Sequence, residues 1–360
     1  MTSREVLEAA MRGEPADRVG WAPEINDTLT TRNLRKAGID PAADPLPYAT
    51  SNRLLGADCL HRKLPYRVEY DGVRFETRTE GNESVETIET PKGILSSRRR
   101  YIPETDMWFR YELHVKGPAD YAVWADVVGR TRFVTDYDSV LNADRLLGDR
   151  GILSIEAPCT PYMDFVMWRM GAEEIVYQTA DHERELIDLF ELMHRKNLEA
   201  HRIAAGSPLG LLVRPIEDTS SMLSSPRLFR KFVLRHMREY AEIAHAGGKL
   251  FLPHMCGHLH DMLPILKDLP IDGIEAITPP PTGDCPITYA RRALGKERIL
   301  IGGLDATRFA LSPPEEFERM VREVLEAMKG DPRFVLGHEE IHRNARPENL
   351  TAVRRLIRGG

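Results

Sequence analysis

A group of potential metal ligands follows one apolar segment of the sequence. In KLFLPHMCGHLHDM, residues 249–262, three histidines and a cysteine fall within seven positions. His254 and Cys256 are two residues apart, so at the end of an extended strand their side chains point to the same side and can bind one ion. Zinc binds imidazole and thiolate readily, and a catalytic zinc keeps an open position beside three protein ligands. We expect His258 and His260 to cap the following helix or to face solvent.

The His-x-Cys pair needs a partner from elsewhere in the chain. On its own the pair is weak evidence, because a free cysteine is often a small buried apolar side chain. A third ligand must come from the end of another strand, and His338 and Glu275 are the candidates. Ligands from separate strands would indicate a catalytic site rather than a structural one.

The elements that position these residues are predicted to be alternating strands and helices. Amphipathic helical patterns separate near-continuous apolar segments, which is typical of a parallel sheet covered on both faces. The predicted strands are 19–25, 151–157, 209–218, 249–255, 272–278, 298–304 and 333–339, with 130–138 as a weak eighth. We predict an α/β protein with a closed (β/α)8 TIM barrel. An open doubly wound sheet is disfavoured, because no Gly-rich phosphate turn follows the first strand.

The remaining sequence adds an N-terminal amphipathic helical segment and an insertion. Residues 64–115 alternate apolar and polar side chains around Asp-Gly and Gly-Asn turn signals, which predicts an antiparallel β-hairpin excursion. We expect this insertion to lie over one mouth of a single domain that spans residues 1–360.

Acidic side chains are concentrated where the predicted strands end. In a (β/α)8 barrel these ends line one common mouth, where the active site lies. They include Glu217, Asp218 and Glu339, and one residue of the Glu217–Asp218 pair is expected to cap the next helix. Residues expected to contact a substrate there are Trp21, Glu24, Asn26 and Glu156.

Composition narrows the classes of partner. The chain of 360 residues has a net charge of -6, which gives no electrostatic reason to expect nucleic acid or an anionic membrane. No stretch approaches 18 consecutive apolar residues, and the N-terminus lacks the apolar core of a signal peptide. The four cysteines are widely spread, which argues against structural disulfides. We therefore expect a cytoplasmic protein that acts on small molecules or binds other proteins.

Several segments together resemble the uroporphyrinogen decarboxylase (URO-D)-like superfamily, and more closely its corrinoid-linked zinc methyltransferase branch. In chain order these segments are REVLEAAMRGEPADRV, TPKGIL, ELHVKGPADYAVW, IEDTSSMLSSPRLFRKFVL, GGKLFLPHMCGHL, DGIEAITPPPTGD, ILIGGLDA and FVLGHEEIHRNARPENL. The resemblance spans nearly the whole chain and implies a (β/α)8 barrel. Where the decarboxylases have an arginine-rich motif near the first strand, this chain has GWAPEINDTLTTRNLRK, which is acidic and aromatic at the strand end. A mouth lined by Glu24, Asp27, Glu217 and Glu275 disfavours an anionic porphyrinogen.

The resemblance also implies a zinc site. In the methyltransferase branch, zinc is held by His-x-Cys on one strand and by a cysteine on the last strand. His254 and Cys256 match the first pair, but His338 stands where the cysteine is expected. The third ligand is therefore open among His338, Glu339 and Glu275.

The function implied is transfer of a methyl group from a small O-methyl donor, or an N- or S-methyl donor, to a cob(I)amide. With one thiolate the zinc is more electrophilic and suits polarising the leaving heteroatom. One of Glu217, Asp218 or Glu339 would protonate that atom. The chain has no Asp-x-His-x-x-Gly motif, so the corrinoid is expected on a separate partner protein.

Two alternatives remain open. The first is a metal-independent decarboxylase of the uroporphyrinogen decarboxylase type acting on a small carboxylated substrate, which needs a cationic anchor such as Arg214 facing the mouth. The second is a non-catalytic zinc-binding or regulatory protein, which predicts a zinc ion saturated by four protein ligands.

Overall fold

The N-terminal part of the chain supplies the first two parallel strands. The computed structural model describes residues 1–104 and 106–359. Its first elements are α1 (Ser3–Arg12), β1 (Gly20–Trp21), α2 (Asp27–Lys36), α3 (Pro47–Leu55) and β2 (Cys59–Lys63). Helix α1 begins with a capping box, in which Thr2 and Glu5 each accept a hydrogen bond from the other's backbone N–H. It ends at Gly13, whose φ of 71° is a conformation that glycine adopts without steric cost.

Antiparallel strands dominate the next part of the chain. The elements are β3 (Tyr66–Tyr70), β4 (Arg74–Glu80), β5 (Glu83–Thr90), β6 (Gly93–Ile102), β7 (Met107–Glu112), α4 (Pro118–Gly129), β8 (Thr131–Thr135) and α5 (Tyr137–Leu147). Strands β4 to β7 form one antiparallel sheet in chain order, and β3 pairs with β8. The sequence pattern predicted only a hairpin here. The turn between β6 and β7 reaches the loop after the last strand, where Arg343 and Asp106 form a 2.9 Å ion pair.

Parallel strands alternate with helices through the rest of the chain. A 3-10 turn at Gly148–Arg150 and a π-helical turn at Phe165–Arg169 accompany them. The elements are β9 (Gly151–Ile155), α6 (Pro161–Asp164), α7 (Ala172–Asp181), α8 (Glu183–Ala205), β10 (Leu212–Val213), α9 (Pro226–Phe232), α10 (Leu234–Ala246), β11 (Leu250–Phe251), α11 (Leu263–Leu266), β12 (Gly273–Ile277), α12 (Ile287–Leu294), β13 (Ile299–Gly303), α13 (Arg308–Leu311), α14 (Pro314–Ala327), β14 (Phe334–Gly337) and α15 (Pro347–Arg358).

Two four-stranded parallel sheets are connected at both ends, because each edge strand of one sheet hydrogen-bonds beside an edge strand of the other. Their strand orders are β1-β14-β13-β12 and β11-β10-β9-β2. Between β1 and β2, Asp58 N donates to Trp21 O at 2.7 Å. Between β11 and β12, His254 forms a parallel bridge with Glu275, and Met255 N donates to Glu275 O at 2.9 Å. The eight strands thus follow one another around a ring, an arrangement of the TIM-barrel type.

The eighth strand of the ring is not the predicted one. Segment 130–138 does contain a strand, β8, but it pairs antiparallel with β3 outside the ring. The ring instead includes β2, which pairs with β9 in parallel register from Cys59 to Lys63. Cys59 and Leu60 are buried, whereas the rest of β2 is charged or polar, so the sequence shows too little apolar character to predict a buried strand.

Helix α1 lies across the amino ends of the ring. Its buried residues Leu7 and Met11 belong to one apolar cluster with Leu252, Ile299 and Val335. The interior is filled by side chains at that end, so the polar strand ends at the opposite, carboxyl end form the mouth. In the described part of the chain, no helix combines the length and the apolar character needed to cross a bilayer.

Candidate metal centre

Three side chains at the mouth come close enough to share one cation. The ligand atoms of Glu24, His254 and Glu275 all lie within 4.8 Å of one another. His254 Nδ1 and Glu275 Oε2 are 2.6 Å apart, and both residues are buried. Glu24 follows β1, His254 follows β11 and Glu275 lies on β12, so three different strands position the group. Two carboxylates and one imidazole are ligands that zinc accepts.

A buried arginine lies against the same two carboxylates. Arg214 follows β10, is 1% exposed, and donates to Glu24 Oε1 from both Nη atoms at 2.9 Å. Its Nη1 also donates to Glu275. Burial opposes ionisation of Glu275, but Arg214 and His254 outweigh it and hold the pKa of that carboxyl well below its usual range. Glu275 is therefore an anion with a cation beside it, as a buried charge requires.

Arg62 extends this network toward solvent. It lies near the end of β2, where it is 3.2 Å from Glu24 Oε2 and 3.4 Å from Glu156 Oε1. Burial raises the pKa of Glu156 despite that arginine. The sequence pattern did not predict Arg62 at the mouth, because it did not predict β2. The apolar pair Cys59 and Leu60, between Gly56 and a charged segment, is the signal that could have indicated this strand.

Cys256 lies close enough to His254 for each to shift the pKa of the other. Burial opposes protonation of His254, but Glu275 and a hydrogen bond with Cys256 raise the pKa of its imidazole well above the usual value. Burial raises the pKa of the Cys256 thiol, although the same hydrogen bond opposes this shift. Asp218 accepts a hydrogen bond from Ser220 N at 3.3 Å, and burial raises the pKa of its carboxyl. Cys256 is therefore near His254 but outside the group within 4.8 Å, and a metal ion shared by these two side chains stays a prediction.

His338 has one nitrogen without a hydrogen-bond partner. Its Nδ1 donates to Glu339 O at 2.7 Å, which leaves Nε2 as the acceptor nitrogen. Among the described residues no group hydrogen-bonds Nε2, although the side chain is 1% exposed. Burial lowers the pKa of His338 to about 4, so the imidazole is neutral. A neutral imidazole with a free lone pair is the form that binds metal, but His338, like Cys256, is outside the group within 4.8 Å.

The predicted acid–base residues have different surroundings. Glu339 accepts hydrogen bonds from Gly257 N at 3.3 Å and from Thr278 Oγ1 at 3.1 Å, and burial raises its pKa. Both oxygens of Glu217 accept from Thr160, one from its N–H at 2.8 Å and one from its hydroxyl. Burial raises the pKa of Glu217 to about 7. Glu217 therefore anchors the loop before α6, while Glu339 lies beside the Cys256 loop.

The predicted substrate-binding residues do not share one pocket. Trp21 is 1% exposed and lies in the hydrophobic core. Asn26 caps α2, where its Oδ1 accepts from Leu29 N at 2.8 Å. Glu24 belongs to the candidate metal group and also lines a cavity with Asp27 and Arg62. Glu156 lines a different cavity.

His258 and His260 lie apart from the candidate metal group. Both precede α11, and Asp284 Oδ1 accepts from the backbone of His260 at 3.0 Å. The His260 ring is exposed and stacks on Tyr289. His260 faces solvent, as predicted, whereas His258 is half-buried, and neither caps a helix through its side chain.

A cleft leads from the buried network to an aromatic pocket. One cavity of about 330 Å³ is lined by Glu156, Arg214 and Trp168. A second, of about 250 Å³, is lined by apolar and aromatic residues that include Trp124 and Phe133. The two cavities share Leu64, Tyr66, Pro158, Cys159, Asp164 and Arg169. They therefore form one cleft beside the mouth, in which Asp164 and Arg169 neutralise each other through a 2.9 Å ion pair.

Comparisons with known proteins agree with this architecture. The family model of uroporphyrinogen decarboxylase (URO-D) matches residues 209–359. A methyltransferase from Methanosarcina mazei has a similar structure, with a TM-score of 0.62 and 15% sequence identity over 98% of this chain and 97% of that one. A candidate vitamin-B12-independent methionine synthase from Listeria monocytogenes aligns with a TM-score of 0.44 and 12% identity over 95% of each chain. No curated protein sequence matches the chain.

These comparisons bear on different parts of the molecule. The match to the URO-D family model covers the strands β10 to β14, which supply Arg214, His254, Glu275 and His338. At 15% identity, the likeness to the archaeal methyltransferase shows a shared fold over the whole chain. The chain therefore has the fold of that methyltransferase, and its C-terminal part is similar to the URO-D family.

Proposed function

We propose that this protein is a zinc-dependent methyltransferase of the URO-D-like superfamily, in its corrinoid-linked branch. It moves a methyl group from a small O-methyl donor, or an N- or S-methyl donor, to the cob(I)amide of a separate corrinoid protein. The observation that carries this proposal is the group formed by Glu24, His254 and Glu275 at the mouth, with Cys256 two residues from its histidine. The fold shared with a methyltransferase supports it.

The residues present fit a zinc ion. Imidazole, thiolate and carboxylate are all zinc ligands, and His338 adds a buried nitrogen with a free lone pair. His254 and Cys256 are the proposed ligands on the β11 side, with Glu275 or His338 as the third. When bound, the zinc would polarise the leaving heteroatom of the methyl donor as a Lewis acid.

Residues of this chain position the proposed metal ligands and supply the proton that the leaving heteroatom takes up. Arg214 keeps Glu275 ionised and holds the side chains of Glu24 and Glu275 through hydrogen bonds. Glu339 and Asp218 are the proposed proton donors, because burial favours the protonated form of each carboxyl beside Cys256. Glu217 is the weaker candidate, since Thr160 occupies both of its oxygens.

The reaction balances with these groups. The methyl carbon leaves the donor heteroatom and bonds to cobalt, whose Co(I) supplies the electron pair of the new bond. The pair of the broken bond stays on the heteroatom, which takes its proton from the carboxyl. The proposed binding site of the methyl donor is the cleft lined by Tyr66 and Arg169, because its apolar wall suits an uncharged organic group.

The test combines metal analysis with a turnover assay. Purified protein is expected to contain about one zinc per chain, the count for one catalytic site. Mixed with cob(I)alamin and a panel of methyl donors, methoxylated aromatics first, it is expected to form methylcob(III)alamin, followed by absorbance. Protein without metal whose Cys256→Ser variant keeps full activity would contradict the zinc mechanism. If none of the methyl donors yields methylcob(III)alamin, the proposed reaction is contradicted, and the metal analysis alone then decides the zinc proposal.

A metal-independent decarboxylase acting on a small carboxylated substrate is the second candidate, because the matching family model is that of uroporphyrinogen decarboxylase. It requires a free cationic anchor at the mouth, whereas Arg214 is engaged by Glu24 and Glu275. Release of carbon dioxide that a chelator leaves unchanged would favour this candidate over methyl transfer.

A further inference from the structure

A basic cleft lies on the rim of the mouth, outside the candidate metal group. It has a volume of about 550 Å³ and runs along α2 to the loop after β14 and the turn before β7. Its charged lining residues are Arg32, Arg35, Lys36, Arg343, Asp27 and Asp106. Asp27 also lines the neighbouring cavity that contains Glu24, so the cleft opens beside the mouth.

The cleft has more positive than negative charge. Four cations face two carboxylates, which leaves a net charge of +2 in a protein whose overall charge is -6. One cation is balanced, because Arg343 pairs with Asp106 at 2.9 Å. Within residues 1–104 and 106–359, no ion pair is formed by Arg32, Arg35 or Lys36. Such a local excess attracts anions.

Arg32 is the clearest sign that an anion belongs there. It is half-buried, and its Nη1 donates to the backbone oxygens of Arg343 and Ala345 rather than to a carboxylate. Its Nε is buried and has no acceptor among the described residues. A partly buried cation without a counter-charge is costly, and a bound anion would offset that cost.

We propose that this cleft binds the phosphate group of a small phosphorylated molecule. The net charge of +2 matches a dianion better than a monocarboxylate. Thr28, Thr31, Arg32 and Arg35 follow one another at helical spacing along one face of α2, so hydroxyls and guanidinium groups face the same space. The cleft is larger than a phosphate ion and leaves room for an organic part. This inference does not depend on the proposed methyl transfer.

Calorimetric titration at low ionic strength tests the site, with inorganic phosphate, pyrophosphate and acetate as probes. Phosphate and pyrophosphate are expected to bind, pyrophosphate more tightly, and acetate to bind more weakly than either. Arg35→Ala and Lys36→Ala are each expected to weaken pyrophosphate binding about two- to fivefold, the range for one exposed ion pair, and the double variant about tenfold. Added salt should weaken binding further.

Arg230→Ala is the matched control, because Arg230 is exposed on α9 and no ion pair holds it within the described residues. It makes the same charge change far from the cleft in sequence and is expected to leave binding unchanged. Thermal unfolding of each variant checks that it is folded. The proposal is overturned if neither phosphate nor pyrophosphate binds, if acetate binds as tightly as phosphate, or if the control weakens binding as much as Arg35→Ala.

Discussion

The acidic residues at the mouth fall into two groups with opposite surroundings. Glu24 and Glu275 lie against the guanidinium of Arg214, and the pKa of Glu275 is held well below its usual range. Glu217 and Glu339 accept hydrogen bonds from hydroxyl and N–H groups instead, and burial raises the pKa of each. Glutamates at the same mouth therefore differ in protonation: Glu275 is held ionised, whereas burial favours the protonated forms of Glu217 and Glu339. The first group suits holding a cation, and the second suits donating a proton.

The largest effect is expected from removing the cation of the first group. Arg214→Ala leaves Glu24 and Glu275 buried without their partner, which should lower the free energy of unfolding by about 3–5 kcal/mol. Arg214→Lys keeps the charge but loses the paired donors, so its loss should be smaller. Urea denaturation of the three proteins measures both. A loss below about 1 kcal/mol in Arg214→Ala would mean that the two groups differ less than the geometry indicates.

The next effect concerns metal binding and activity. His254→Ala removes a proposed zinc ligand, and we expect zinc affinity and methyl transfer to fall at least about 100-fold, beyond what loss of an outer-shell partner costs. His260→Ala is the control, because that exposed ring stacks on Tyr289 away from the site. Metal content and methylcob(III)alamin formation are the measurements. Equal losses in both variants would contradict a metal role specific to His254.

A smaller effect should appear in the pH dependence of stability. The pKa of Glu217 is raised from 4.5 to about 7, so between these pH values the folded state binds more protons than the unfolded state. Stability is therefore lost as pH rises from about 4.5 to about 7. Glu217→Gln removes this dependence, and its stability relative to the wild type should rise by about 1–3 kcal/mol across that window. Denaturation curves at several pH values test this, and parallel pH profiles would contradict it.

The smallest effect is expected at Arg62. Its side chain is 40% exposed, so water screens its pairs with Glu24 and Glu156. Arg62→Ala should change the free energy of unfolding by less than about 1 kcal/mol, in contrast to Arg214→Ala. Urea denaturation of both variants in the same buffer makes the comparison direct. A loss as large as that of Arg214→Ala would show that the network is equally buried at both arginines.

Part of the fold could be predicted because burial leaves a local pattern. Strands such as β9, β12 and β13 are buried throughout and mostly apolar, and each lies where the alternation of strands and helices predicted it. Strand β2 was missed because only Cys59 and Leu60 of its residues are buried. Segment 130–138 was assigned to the ring because its pattern shows a strand but not the strand's partner.

Local sequence pattern predicts which chemical groups stand at the strand ends, and the two-residue spacing predicts that His254 and Cys256 share one side, because side chains alternate along an extended strand. The tertiary structure alone decided that Glu24, 230 positions earlier, reaches His254 and that Arg214 lies between Glu24 and Glu275. It also decided that His338 keeps a free nitrogen outside that group. The physical reason is that closing the ring brings distant strand ends together, and no local pattern records which ends will meet.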